Sequence, residues 1–442
     1  MKEREKWSSG IGFILAAAGS AVGLGNLWKF PYIVGKNGGG AFVLIYLAFL
    51  FTIGLSVILG EMVIGRATQK NVYGAYRSVS PKFAKVGTLG IITGFLIICF
   101  YSAVGGWTVR YMLAYLTTGV SGDPALYFSQ FTASPWQSIG CQILFLLITA
   151  FIVYRGIAHG IEKASKFMMP MLFVILLVLV VRSLTLPNAM EGVRFFLKPD
   201  FSKVTSHTVV AALGQAFFSL SVGMGTLITY GSYIDKKENL QKTAFYVPLL
   251  DSIVAMLGGF AILPAVFSFG FAPTEGPSLT FITLPAVFES MPFGRVFGIL
   301  FFILLFFAAV TSAISMYEVI IAYLVEEKKI SRKKAVIGLT CVIALFAAPC
   351  ALSQGILADF KLFGKTVFDL FDFTASNILM PVGGILMCIF IGYIWKPKNA
   401  VEEIRNQGKF RFPLKGIWTF VIKYAAPIAI VVVLLSATGI VK

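Results

Sequence analysis

Charged residues are scarce in this sequence, and histidine is almost absent. Of 442 residues, 13% are Asp, Glu, Lys or Arg, and two are His. Soluble domains carry about 25% charged residues, so the composition excludes an ordinary soluble fold. Two histidines also argue against a histidine-based metal centre or catalytic triad. The five cysteines stand singly in apolar stretches without metal-ligand spacing, which is typical of small buried side chains.

Long apolar segments are abundant instead. Hydrophobic residues make up 57% of the chain, and 42 residues are Phe. Stretches of about twenty apolar residues, long enough to cross a bilayer as a helix, recur from one end to the other. They predict an all-α polytopic membrane protein with eleven transmembrane helices. The predicted spans are residues 11–34, 40–65, 88–118, 138–156, 161–183, 207–234, 242–269, 292–325, 334–352, 366–395 and 419–440.

Basic residues are concentrated in alternate connections between these spans. The chain has 37 Lys and Arg against 20 Asp and Glu, a net charge of +17. By the positive-inside rule the basic connections are cytoplasmic, and residues 117–139, which lack Lys and Arg, are external. We therefore expect a multi-pass protein of the cytoplasmic membrane, with a cytoplasmic N-terminus and an external C-terminus. Basic loops beside a membrane explain the charge, so no nucleic-acid partner is expected.

Two predicted helices have middles made of small and polar residues. The first reads Ala-Val-Gly-Leu-Gly at residues 21–25, and the sixth reads Ser-Val-Gly-Met-Gly at residues 221–225. Each motif lies in the first helix of a five-helix half. Paired, interrupted helices at equivalent places in two repeats are typical of the central site of a transporter. Close packing of small residues between continuous helices is the alternative, and the repetition in register disfavours it.

An interrupted helix within a bilayer exposes carbonyl and amide groups that need partners, and a bound cation and a bound carboxylate satisfy them. Asp251 is the most informative side chain here, because residues 247–263 around it contain no Lys or Arg. A buried charge is costly in a membrane. Asp251 is therefore either paired with a bound sodium ion or protonated and hydrogen-bonded within the bundle. We interpret Glu61 as a hydrogen-bond acceptor for the interrupted backbone.

Several short motifs are specific enough to compare with a known family. They are residues 19–26, 30–31, 37–42, 155–163, 215–221, 281–285 and 311–312. With these motifs the chain resembles the neurotransmitter:sodium symporter family, especially its bacterial amino-acid transporters, over nearly its whole length. The resemblance implies a five-plus-five inverted repeat with broken first and sixth helices and one extra C-terminal helix. A single domain, 1–442, would then contain repeats at 11–183 and 207–395 and the additional helix at 419–440.

The resemblance also implies two sodium sites. The first would consist of the Ala21 carbonyl, the side chains of Asn26, Ser219 and Asp251, and the carboxylate of the substrate. The second would consist of the carbonyls of Gly19, Val22 and Ala308 and the hydroxyls of Thr311 and Ser312. Asp251 stands where many relatives have a neutral Asn, so its charge would replace the chloride that other members bind, and no chloride is expected. We hypothesise that Asp251 takes up a proton on the return step.

The substrate implied by the resemblance is an amino acid. Its carboxylate would meet the amides near Leu24 and Gly25 and the hydroxyl of Tyr101, and its ammonium would meet carbonyls of Ala21, Phe218 and Ser221. The side-chain pocket would be lined by Ser20, Ile97, Val104, Phe218, Ser221, Met224, Ser312, Ser315 and Met316. The two methionines make this pocket adaptable and apolar, which favours a neutral hydrophobic or aromatic amino acid.

Two charged pairs look like gates in this comparison. Lys29 and Asp372 would close the outer side, and Arg4 and Glu326 the inner side. Where relatives carry Arg, this chain has Lys29, which lacks a bidentate fork and should bridge Asp372 less tightly. The expected function is sodium-coupled uptake by alternating access. The expected partners are an amino acid and membrane lipid, and the expected assembly is a monomer or loose dimer.

An ion channel, a membrane enzyme and a non-transporting sensor are the alternatives to a transporter. An ion channel needs a ring of equivalent ligands, which the sequence does not show. A membrane enzyme needs a His, an acid pair or a metal cluster near an interface, and no enzyme activity is expected. A non-transporting amino-acid sensor on the same fold stays open, because binding alone would look identical.

Overall fold

Helices make up the regular structure of the computed structural model, which describes residues 5–120, 122–271 and 279–440. In chain order the main helices are α1 (Gly10–Ala21), α2 (Gly25–Lys36), α3 (Gly40–Thr68), α4 (Pro81–Thr117), α5 (Pro135–Tyr154), α6 (Ile157–Leu184), α7 (Ser206–Ser219), α8 (Thr226–Gly231), α9 (Leu240–Ser268), α10 (Gly294–Glu326), α11 (Arg332–Leu352), α12 (Val367–Ile394) and α13 (Lys415–Ala437). Shorter helices between them include Val72–Val79, Pro124–Ala133, Ala189–Leu197, Leu279–Glu289 and Pro397–Ile404.

Nine of the helices in the described ranges are long and apolar enough to cross a membrane, and the bent pair α1 and α2 makes a tenth possible span. The predicted all-α membrane fold is confirmed. The sixth predicted span corresponds to α7 and α8, which have 14 and 6 residues and are individually too short to cross a bilayer. The count of eleven membrane helices therefore stays a prediction.

The first break lies between α1 and α2, where the chain bends by 46°. Ser9 begins α1 as its N-cap, its hydroxyl accepting from the Gly12 amide at 3.1 Å. α1 ends at Ala21, and Val22 adopts an extended conformation. The side-chain oxygen of Asn26 accepts a hydrogen bond from the Gly23 amide at 3.2 Å. The sequence thus supplies part of the hydrogen bonding that the interrupted helix loses.

The second break lies between α7 and α8, and its backbone turns through left-handed conformations. Ser221, Gly223 and Gly225 have φ angles of 53°, 89° and 77°. The freed amide of Gly223 donates to Glu61 Oε1 of α3 at 2.8 Å. This contact confirms the interpretation of Glu61 as an acceptor for interrupted backbone. Both predicted interruptions are present in the structure.

Gly223→Ala is expected to destabilise the fold by about 1–2 kcal/mol for the left-handed conformation alone, because L side chains disfavour it. A Cβ at Gly223 would also lie 2.2 Å from the Met380 carbonyl oxygen of α12, so the backbone must shift. Gly214→Ala in α7 is the matched control, since its Cβ would meet only Val433 Cγ1 at 3.6 Å. Thermal unfolding in detergent should show a lower Tm for Gly223→Ala alone. Equal Tm values for the two variants would contradict the strained geometry of the break.

The two broken helices lie in the interior of the bundle. α1 packs against α6, α9 and α10, and α8 packs against α3 and α10. In the 18-residue apolar stretch of α10, 67% of the residues are buried inside the protein, whereas in that of α13 the share is 22%. The breaks are therefore shielded by protein, the only setting in which irregular backbone is tolerated at membrane depth.

Candidate sodium and substrate sites

Asp251 of α9 lies between the two breaks and is completely buried. Asn26 Nδ2 donates to Asp251 Oδ1 at 2.8 Å, and Ser219 Oγ lies 2.9 Å from both carboxylate oxygens. The hydroxyl of Tyr46 donates to Asp251 Oδ2 at 3.2 Å. α2, α7 and α3 thus each bring one polar side chain to a carboxylate on α9.

No Lys, Arg or His forms an ion pair with Asp251 within the part of the chain that the structure describes. The same described residues include no group of three or more His, Cys, Asp and Glu that would hold a metal ion. The groups at this place are the Asp251 carboxylate, the hydroxyls of Ser219 and Tyr46, and the side-chain amide of Asn26, which turns its nitrogen toward the carboxylate and its oxygen toward the Gly23 amide. Such a set suits a hard cation of low charge far better than a transition metal.

The residues predicted for the second sodium site also come together. Ser312 Oγ of α10 lies 3.4 Å from the Gly19 carbonyl oxygen and 3.4 Å from that of Val22. Thr311 Oγ1 donates to the Ala308 carbonyl at 3.1 Å. Gly19 approaches Thr311 so closely that a Cβ there would lie 3.2 Å from Thr311 Cβ. Carbonyl and hydroxyl oxygens from the end of α1 and the middle of α10 therefore lie close together.

A small cavity of about 30 Å³ adjoins both groups of ligands, because Ala21 and Ser219 of the first and Ser312 of the second line it. Its lining includes most of the predicted substrate residues, namely Ser20, Ala21, Leu24, Gly25, Ile97, Tyr101, Phe218, Ser221, Met224, Ser312 and Met316. Val104 and Ser315 do not line it. Ser315 lies behind the wall, where its hydroxyl accepts from Ser20 Oγ at 2.7 Å. Met380 of α12 lines the cavity and was not predicted from the sequence.

The polar end of this cavity is formed by Tyr101 of α4 and the break after α1. The amide of Leu24 donates to the Tyr101 hydroxyl at 3.3 Å. Gly23 lies beside this pair, and a Cβ there would be 2.5 Å from Ser312 Oγ. A backbone amide and a phenolic hydroxyl at the positive end of a helix can bind a carboxylate. The opposite wall, with Met224, Met316 and Ile97, is apolar.

The predicted outer gate is arranged differently from a simple ion pair. The Lys29 ammonium lies 3.9 Å from the ring centre of Phe218, a cation–π contact, and Asp372 accepts from Ser376 Oγ at 2.7 Å. Lys29 and Asp372 are not ion-paired among the described residues. Lys29, Phe218 and Ser376 line a second cavity, of about 340 Å³. Phe218 therefore separates this cavity from the central one.

Of the predicted inner gate, Arg4 lies outside the described residues. Glu326 Oε2 accepts from the backbone amide and the side-chain amide of Asn71, both at 2.8 Å. Nearby, Trp7 Nε1 donates to the Tyr230 carbonyl at 3.1 Å, and the rings of Trp7 and Tyr233 are 6.3 Å apart. The segment before α1 is thus bound to the end of α8 on this side.

Comparison with known proteins identifies the family. The chain matches the Sodium:neurotransmitter symporter family over residues 4–124 and 128–441. The chain belongs to this family. It is 44% identical over 441 residues to an uncharacterized sodium-dependent transporter, YhdH, of Bacillus subtilis (strain 168), with 98% of both chains covered. It is 38% identical over 452 residues to an uncharacterized sodium-dependent transporter of Haemophilus influenzae, again covering 98% of both chains.

A solved structure of similar sequence shares the fold. The crystal structure of MhsT in complex with L-phenylalanine matches the symporter with a TM-score of 0.91 and 42% identity, covering 98% of this chain and all of that one. The predicted family is confirmed. The protein is a membrane transporter and not an enzyme, because its family consists of symporters.

Tyr46 lies beside Asp251 and was not among the residues predicted from the sequence. Its hydroxyl contacts Asp251 although the two residues are far apart in the chain. The available signal was that Tyr46 is the only Tyr in the predicted second span, 40–65. A lone phenol in an apolar helix needs a polar partner, and here that partner is the buried carboxylate.

Glu318, a buried carboxylate of α10, forms an ion pair with Arg332. Arg332 of α11 contacts both Glu318 oxygens, and the Tyr233 hydroxyl donates to Glu318 Oε1 at 2.8 Å. Arg332 also lies 3.8 Å from Glu5. A fully satisfied buried pair of this kind joins α10, α11 and the N-terminal segment.

Proposed function

We propose that this symporter couples sodium entry to the uptake of a neutral hydrophobic or aromatic amino acid across the cytoplasmic membrane. The position of Asp251 supports this function most strongly. A buried carboxylate without a cationic partner among the described residues lies between two helix breaks, beside a cavity with carboxylate-binding groups at one end. A sodium ion would neutralise that charge, and the zwitterion would bind in the cavity, whose walls must move apart from their present volume of about 30 Å³ to admit it.

Two sodium ions fit the two ligand groups. The first would bind Asp251, Asn26, Ser219 and the Ala21 carbonyl, together with the carboxylate of the substrate. The second would bind the carbonyls of Gly19, Val22 and Ala308 and the hydroxyls of Thr311 and Ser312. The first sodium ion would bind the substrate carboxylate directly. Sodium binding and amino-acid binding would then be coupled, because each ligand stabilises the binding of the other.

The driving force for uptake is sufficient. At roughly 100 mV and a tenfold sodium gradient, each ion contributes about 2.3 and about 1.4 kcal/mol. Two ions contribute about 7.4 kcal/mol, which would sustain an amino-acid ratio on the order of 10⁵ if no proton were exchanged.

The apolar wall supports a hydrophobic or aromatic substrate. Met224, Met316, Met380 and Ile97 line the cavity, and methionine adapts its shape to bulky ligands. MhsT, with 42% identity, was crystallised with L-phenylalanine. Sodium-dependent binding to the purified protein, scanned over the twenty amino acids, tests this choice. Binding limited to charged amino acids, or none in sodium, would refute it.

Tyr101→Phe is expected to weaken amino-acid binding about tenfold, because one hydrogen bond to the substrate carboxylate is lost. Sodium-dependent binding of the preferred amino acid measures the effect. Tyr73→Phe, in the short helix Val72–Val79 outside the cavity, is the matched control and should bind normally. An unchanged Kd for Tyr101→Phe would remove Tyr101 from the carboxylate site.

Chloride is not needed in this proposal, because Asp251 supplies the negative charge beside the first sodium ion. On the return step, without sodium, Asp251 would take up a proton, which avoids leaving a bare charge in the membrane. The bundle formed by the first, second, sixth and seventh predicted spans, which are α1–α3 and α7–α9, would rock against the remaining helices, with the N-terminus cytoplasmic and the C-terminus external. Lys29 and Asp372 would approach on closure of the outer side, and Arg4 and Glu326 on closure of the inner side. The protein would act as a monomer or a loose dimer.

A further inference from the structure

Lys423 is a charged residue within the last membrane helix. Apart from Lys415 at its start, it is the only charged residue of α13. Among the nine membrane helices of the described ranges, α13 has the smallest buried share, 22% against 39–67% for the others. Charged side chains on lipid-facing helices are rare and point to a function.

The side chain of Lys423 is held at the surface of the bundle. Its ammonium lies 5.1 Å from the ring centre of Tyr393 and 5.5 Å from that of Tyr424. Its stem passes over Gly392, where an added Cβ would lie 3.2 Å from Lys423 Cγ. Both tyrosines are about half exposed, at 50% and 47%. The cation is therefore positioned between two rings and remains accessible from the lipid.

No acidic side chain among the described residues is ion-paired with Lys423. The adjoining segments Phe390–Ile394 and Val421–Ala425 contain no Asp or Glu. A cation that contacts aromatic rings but no carboxylate in the described part of the chain attracts an anion. In that environment the anion is the phosphate of a lipid headgroup.

Lys423 lies level with the end of α12. Its ammonium is beside Tyr393, one residue before α12 ends at Ile394 and the basic loop begins, and long Lys side chains extend toward the interface. Lys396, Lys398 and Lys415 are exposed in the adjoining basic loop. These cations strengthen the attraction for an anionic headgroup.

An exposed apolar stripe continues from this cation along α13. Ile417, Phe420, Tyr424 and Ile428 follow the three- and four-residue spacing of one helix face, with exposures of 64%, 60%, 47% and 64%. We propose that Lys423, Tyr393 and Tyr424 bind the phosphodiester headgroup of an anionic phospholipid, whose acyl chains lie along the part of α13 that follows Lys423, where Ile428, Val431 and Val432 are exposed. This lipid site is independent of the amino-acid and sodium sites.

Native mass spectrometry of the full chain tests the proposal with phosphatidylglycerol and phosphatidylcholine of identical acyl chains. The unaltered protein should retain phosphatidylglycerol preferentially. Lys423→Gln should reduce that preference about fivefold, the effect of one cation near an anionic lipid surface. Lys423→Arg should keep it, and so should Lys409→Gln, which removes an exposed loop charge instead. Thermal unfolding of each variant checks that the fold is intact.

Two outcomes would overturn the lipid site. Equal retention of the two lipids by the unaltered protein would show that the headgroup charge is not recognised, and an unchanged preference in Lys423→Gln would show that this residue does not recognise it. A lipid-free dimer that Lys423→Gln dissociates would assign the face to a second copy of the chain and would also overturn the proposal.

Discussion

Asp251→Asn should lower the sodium affinity of uptake roughly a hundredfold in chloride-free medium. Asn keeps the size of the side chain and can still accept hydrogen bonds from Asn26 and Ser219, but it removes the charge that faces the sodium ion. Interactions with a charged partner are worth about 1.5–3 kcal/mol, and about 2.8 kcal/mol corresponds to a factor of 100. Because the first sodium ion also binds the substrate carboxylate, the apparent amino-acid affinity should fall in parallel.

Uptake of the labelled amino acid into proteoliposomes, with gluconate as the anion and sodium varied, measures this effect. Asp359→Asn is the matched control, because Asp359 is exposed and lies outside the central cavity. Unchanged chloride-free uptake by Asp251→Asn, with the same sodium dependence, would contradict the role of Asp251. A chloride requirement in the unaltered protein would contradict its role as the built-in anion.

The double variant Thr311→Val, Ser312→Ala should raise the sodium concentration for half-maximal amino-acid binding roughly thirtyfold. Each substitution removes one hydroxyl ligand from the second sodium site, and two hydrogen-bond-sized interactions amount to about 2 kcal/mol. The variant leaves Asp251 and the first site untouched. At saturating sodium, the amino acid should therefore bind with nearly unaltered affinity, apart from the loss of the Ser312 hydroxyl at the cavity wall.

Sodium titration of amino-acid binding to the purified protein distinguishes the two sites. Thr88→Val is a suitable control, because the Thr88 hydroxyl donates only to the Ala84 carbonyl of its own helix at 3.4 Å. A double variant that binds sodium as tightly as the control would show that the hydroxyls of α10 are not ligands. The cluster around Gly19 and Ser312 would then be a packing contact between α1 and α10.

The sequence was sufficient to predict both helix breaks and the importance of Asp251. The glycine motifs at 21–25 and 221–225 mark backbone that cannot remain regular, and a carboxylate among apolar residues must find a partner. These are local signals, readable without knowledge of the packing. The structure confirms the breaks in α1–α2 and α7–α8, while the roles of the ligand residues remain predictions.

Contacts that depend on packing between distant helices were not predictable in the same way. Tyr46 reaches Asp251 only because α3 lies beside α9, and Met380 lines the cavity only because α12 approaches the break after α7. Lys29 is not ion-paired with Asp372 among the described residues, and its ammonium lies over the ring of Phe218. A long, flexible side chain can reach several partners, and the sequence does not specify which of them it contacts.

Sodium-driven, chloride-independent transport of a hydrophobic or aromatic amino acid can be measured as flux into proteoliposomes. Labelled amino acid is supplied outside, with an inward sodium gradient and gluconate as the only anion. We expect transient accumulation above the external concentration, which collapses when sodium is equal on both sides. Binding without accumulation would indicate a sensor, and accumulation that is independent of sodium or requires chloride would refute the proposed coupling.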